Sequence, residues 1–125
     1  MAAAKLSEKE IAAEMKKLSG WSVVKGNLHR KFEFKDFTQA FGFMKRVALA
    51  ADRMSHHPDW SNAYNKVSID LSTHSAGGIT ENDFELASKI QKIHGHQSAW
   101  LFASGHRQLE IKNLQFLLTS FIVLP

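Results

Sequence analysis

Seven histidines occur in the 125 residues, and three of them stand where an ordered element gives way to a loop. His56 and His57 follow a long segment of helical apolar spacing that Pro58 must bring to an end. His74 closes a strand-like alternation. Such boundaries let side chains reach a cleft while rigid elements hold them from behind. Asp52 precedes His56 by four residues, which on a helix places the carboxylate on the same face as that imidazole. Imidazoles titrate near neutrality, and two adjacent ones disfavour double protonation, so a pair offers one acid and one base. Acid/base chemistry at His56, His57 and His74 is the expectation, although adjacent surface histidines without further context are more often inert. By residue type alone, three histidines with Asp52 or Asp59 also make a zinc set. Adjacent histidines lack the specific spacing of H-E-x-x-H, and His94, His96 and His106 make a weaker set still. The chain carries no serine or threonine nucleophile motif and no glycine-rich phosphate loop. Its lack of cysteine excludes disulfides, thiolate ligands and a cysteine nucleophile.

Composition narrows the class. With 44% hydrophobic and 22% charged residues, the chain has the balance of a folded globular domain and not of a disordered or collagenous one. The net charge is +4, but the basic residues are scattered, and Lys16-Lys17 and Lys45-Arg46 are the longest clusters. No stripe of the kind that grips phosphates emerges, so direct nucleic-acid binding is not expected. The apolar run from Leu114 to Leu124 falls short of the roughly 20 residues that span a bilayer, and Met1 to Lys5 lacks the apolar stretch of a signal peptide. Neither a membrane nor export is expected, which leaves the cytoplasm.

The elements that must position the histidines can be read from caps and periodicity. Ser7-x-x-Glu10 is a capping box with Leu6 and Ile11 as its hydrophobic staple, and it predicts a first helix from Ser7 to Leu18. Trp21 to Val24 and Leu28 to Phe34 read as strands joined by a turn at Gly26-Asn27. Asp36-Phe-Thr-Gln39 opens the longest helix, Asp36 to Ser55. Its apolar residues span nearly 180° when counted at about 100° per residue, against the ~100° stripe one core face needs. That width predicts contact with a second subunit as well as with the sheet, and it places the histidine face and the apolar arc on different sides of the helix. Trp60 to Tyr64 reads as a strand, Asn65-Lys66 as a turn, and Val67, Ile69, Leu71 and Thr73 alternate with polar residues as a half-buried strand. Thr80-x-x-Asp83 can cap a third helix that aligns Phe84, Ala87, Ile90 and Ile93. The expected fold is therefore α+β in the order α-β-β-α-β-β-α, helices on one side of a four-stranded antiparallel sheet. Residues 1–93 form the expected domain. Residues 94–125 form an extension whose apolar end fits a helix or a strand equally.

The segments Lys31-Phe-Glu-Phe-Lys-Asp-Phe37, Ala40-Phe-Gly-Phe-Met44, His56-His-Pro-Asp-Trp60, Tyr64-Asn-Lys-Val67 and Leu71-Ser-Thr-His74 closely resemble pterin-4a-carbinolamine dehydratases. The spacing from Asp52 through His56-His57-Pro58, Tyr64 and His74 to Asp83 is similar to that family's signature, and the likeness runs from Leu6 to Ile93. It implies dehydration of 4a-hydroxytetrahydrobiopterin to quinonoid dihydrobiopterin, which recycles tetrahydrobiopterin without a metal or redox cofactor. It further implies His56, His57 and His74 as the catalytic trio, with His56 and His74 as acids and His57 as holder and base. Asp52 is expected to orient His56, Ser72 and Thr73 to contact the pterin, and Trp60 to border the pocket. The family also implies a homodimer or homotetramer through the long helix, a homeodomain transcription factor as partner, and a nuclear location besides the cytoplasm.

Overall fold

The computed structural model describes residues 3–96. They run in the order α1 (Glu8–Met15), β1 (Ser22–Val24), β2 (Asn27–Glu33), α2 (Phe37–Met54), β3 (Asp59–Ala63) and β4 (Lys66–Leu71). A 3-10 turn at His74–Ala76 follows, and then α3 over 81–96. This is the expected α+β order. The readings of 97–125 fall outside the described residues. Among the described residues no helix is long and apolar enough to cross a membrane.

The first helix starts where its capping box predicts. Ser7 N–H donates to Glu10 Oε1 at 2.8 Å while Ser7 Oγ accepts from Glu10 N–H at 3.1 Å. The Ser7 backbone N–H foremost, and the Ser7 hydroxyl beside it, hold the Glu10 carboxyl below its ordinary value. The helix ends at Met15 and not at Leu18, because Lys17 and Leu18 donate three residues back, to Glu14 and Met15, and tighten the chain out of α geometry.

The four strands lie in the order β1-β2-β4-β3, and every neighbouring pair is antiparallel. Both hairpin turns sit one residue earlier than the sequence predicts. Val24 pairs with Asn27, so the turn is Lys25-Gly26. Ala63 pairs with Lys66, so the second turn is Tyr64-Asn65. Lys25 and Gly26 have φ of 52° and 79°, the geometry of the type I′ turn that matches strand twist. Asn65 is drawn into its turn by two bonds to the end of β2: its Nδ2 donates to Phe34 O, and its carbonyl accepts from Phe34 N–H, each at 2.8 Å.

One face of this sheet carries the core. Leu28 and Phe32 of β2 and Val67, Ile69 and Leu71 of β4 meet Phe43, Val47 and Ala51 of α2 and Leu86, Ala87 and Ile90 of α3, all buried. Phe43 holds the aromatic centre, with ring centroids 4.8 Å from Phe32 and 4.9 Å from Phe34. The apolar arc of α2 is thereby divided. Ala40, Phe43, Val47 and Ala51 are buried, whereas Phe37 and Phe41 stay 48% and 58% exposed. Asp52 lies eleven residues beyond Phe41, which places it only about 20° around the axis and about 16 Å along it. The exposed apolar surface and the Asp52 surface are therefore separated along the helix, not around it as expected.

Candidate active site

The end of α2 sets the geometry of the histidine pair. Ser55 adopts the left-handed conformation, φ 53°, and its N–H bonds back to Asp52 O, while His56 N–H bonds to Ala51 O. Those two bonds are a Schellman motif, which satisfies the last carbonyls and swings the chain off the helical path. Adjacent residues after the swing face opposite ways. His56 turns inward and keeps only 12% of its side chain exposed, whereas His57 stays 64% exposed.

This swing changes the partner of Asp52. The four-residue spacing predicted a contact with His56, but that rule holds only inside a helix, and α2 ends at Met54. Asp52 Oδ1 instead meets His57 Nε2 at 2.9 Å. His56 Nε2 meets Asp83 Oδ1 at 2.6 Å, and Asp83 is fully buried. The sequence signature contains Asp83, yet nothing in its position suggested this role beyond a helix cap. That cap is present, since Asp83 Oδ2 accepts from Thr80 N–H at 2.8 Å, and Thr73 Oγ1 donates to the same oxygen at 2.9 Å.

His74 reaches the site from the far side, at the start of the turn that follows β4. Its Nε2 lies 3.5 Å from Asp59 Oδ2, in a pair that is mostly exposed. A backbone bridge between Thr73 and Gly78 closes the loop behind it. Ser55 to Asp59 form one wall of an open cleft of about 390 Å³, and Ser72 to Ser75 form the other. That volume is in the range of small-molecule sites. In each imidazole the nitrogen beside the carboxylate is Nε2. Among the described residues no group of three or more histidine, aspartate or glutamate side chains converges for a metal ion.

The remaining expected site residues divide. Ser72 is half-buried on the cleft wall. Thr73 is 7% exposed, with its hydroxyl turned inward to Asp83 and Thr80. Trp60 does not line the cleft. Successive strand residues face opposite sides, so Asp59 serves the cleft while Trp60 lines a separate apolar groove with Phe41, Met44, Lys45 and Ala48. A further histidine–carboxylate pair, His29 Nδ1 and Asp70 Oδ1 at 3.0 Å, bridges β2 and β4.

A family model described as pterin 4 alpha carbinolamine dehydratase matches residues 4–93. A protein of Solibacter usitatus (strain Ellin6076) named "Putative pterin-4-alpha-carbinolamine dehydratase" is 54% identical over 89 residues, covering 71% of this chain and 94% of that protein. A protein of the same name from Christiangramia forsetii is 47% identical over 89 residues, covering 71% of this chain and 92% of its own. Among solved structures, a crystal structure described as a transcriptional coactivator/pterin dehydratase from Brucella melitensis superposes with a TM-score of 0.69 at 45% identity, covering 71% of this chain and 97% of that one.

Proposed function

As this chain belongs to the pterin 4 alpha carbinolamine dehydratase family, we propose that it converts 4a-hydroxytetrahydrobiopterin to quinonoid dihydrobiopterin by histidine acid/base catalysis. The observation that carries this reading is the set of three imidazoles around one cleft, each with Nε2 within 3.5 Å of a carboxylate. In the reaction the C4a–O bond breaks as the hydroxyl oxygen takes a proton and leaves as water. The lone pair of the adjoining ring nitrogen forms the C=N bond, and that nitrogen gives up its proton. One proton enters and one leaves, with no change of oxidation state, so imidazoles suffice. His56 and His74 act as the acids, while His57 holds the pterin and takes the ring proton. Ser72 offers its hydroxyl to the ring from the cleft wall. The test is the dehydration rate of the wild type beside His57→Ala and His74→Ala. Each variant should lose about 10²-fold or more, the scale of a positioned acid or base, and unchanged rates in both would overturn the assignment.

A second reading concerns assembly and is compatible with the first. The exposed Phe37 and Phe41 and the apolar groove beside Trp60 favour a homodimer or homotetramer built through α2. The Brucella structure described as a transcriptional coactivator/pterin dehydratase supports a transcription factor as a further partner.

A further inference from the structure

We propose that Thr73 and Thr80 are positioning residues that fix His56 through Asp83, and that Thr73 offers no polar contact to the pterin. The inference rests on the dehydratase reading for what His56 does. Thr73 N–H donates to Gly78 O at 2.8 Å, and its carbonyl accepts from the N–H groups of Ala76, Gly77 and Gly78. Its hydroxyl donates to Asp83 Oδ2 and lies 2.7 Å from Thr80 Oγ1. Every polar atom is thus committed inside the fold.

The hydroxyls then have a single consistent direction. Thr73 has one hydroxyl proton, and it goes to Asp83, so Thr80 must be the donor in the contact between the two threonines. Thr80 Oγ1 is free to accept from Asn82 N–H at 3.2 Å, which it does. The chain runs from Thr80 to Thr73 to Asp83 Oδ2, where Thr80 N–H arrives as second donor. Two donors on Oδ2 resist rotation of the carboxylate. Oδ1 therefore faces His56 Nε2 as an acceptor, at 2.6 Å. The imidazole keeps Nε2 as its donor, and Nδ1 is left to exchange protons with the cleft. All three members, Thr73, Thr80 and Asp83, are buried, where a satisfied network is stiff and a broken one costly.

The experiment compares the full-length wild type with Thr73→Val, which keeps the shape and removes the hydroxyl, and Thr73→Ser, which keeps the hydroxyl. Thr80→Val empties the far end of the chain and serves if Thr73→Val does not fold. Both valine variants should lower kcat about tenfold or more, a cost typical of a slightly misplaced catalytic group, with KM changed less than about twofold on the same scale. Thr73→Ser should restore kcat. A raised KM with kcat preserved would show that Thr73 touches the pterin and would overturn the proposal, as would valine variants that match the wild type. The proton NMR signal of the His56 Nε2–H gives a readout independent of turnover. It should move in the valine variants and return in Thr73→Ser, and a signal unmoved by them overturns the proposal. A wild type no faster than the uncatalysed reaction would refute the dehydratase reading alone, and the NMR comparison would still decide this one.

Discussion

At the residue scale, the strength with which each imidazole is held follows from the surroundings of its carboxylate. Asp83 is fully buried, and the exposed Asp52 is screened by water and salt. Asp83→Asn should therefore lower turnover at least about tenfold, the usual cost of losing the partner that orients a functional imidazole, while Asp52→Asn should stay within a few-fold. Raising the ionic strength should narrow the difference between wild type and Asp52→Asn without touching the effect at Asp83. Steady-state rates at low and high salt check both statements, and equal losses in the two variants would contradict them. That His56, His57 and His74 meet at one cleft was legible from their placement at element boundaries. The partner of Asp52 was not, because the left-handed Ser55 leaves no composition or spacing signal that the helical rule fails there. Thr73 is instructive in the opposite sense. Its alternation with Val67, Ile69 and Leu71 assigned it to the buried side, and the family likeness assigned it to the pterin. The alternation describes its side chain correctly.

At the element scale, the cap of α1 and the turn of the first hairpin make separate claims. Ser7→Ala removes the oxygen that accepts from Glu10 N–H and should cost about 1 kcal/mol in urea unfolding at neutral pH. Since the Glu10 carboxyl is held below its ordinary value of 4.5, its own contribution is complete above that value and fades as the pH falls through the depressed one. A wild-type advantage that grew in acid would contradict this sign. Lys25 has a left-handed backbone, φ 52°, which costs a side-chain-bearing residue about 1 kcal/mol. Lys25→Asn creates the favoured Asn-Gly pair of a type I′ turn and should raise the urea midpoint. Helix starts were readable because capping boxes are local chemistry. The turns were misread by one residue because Gly26 fits either turn position, and the cross-strand register that decides between them is a tertiary fact.

At the scale of the whole molecule, the exposed apolar residues of α2 are the surface on which the proposed assembly rests. Burying the exposed part of Phe41 at an interface is worth about 1–2 kcal/mol per copy, so Phe41→Asp should shift the protein towards monomer in sedimentation velocity while its circular dichroism stays helical. An unchanged sedimentation coefficient would remove α2 as the assembly surface. A different consequence arises where the start of the chain crosses the loop behind His74. Leu6 N–H is bonded to Ile79 O at 2.9 Å, and the stem of Lys5 lies against Gly78 so closely that a methyl there would sit 2.9 Å from its Cε. A protease needs an extended, unpaired substrate, so trypsin can cut after Lys5 only when this strap lifts from the loop. The rate of that single cleavage becomes a clock for opening at the cleft wall. A tight pterin should slow it, and Gly78→Ala, which displaces the lysine, should quicken it.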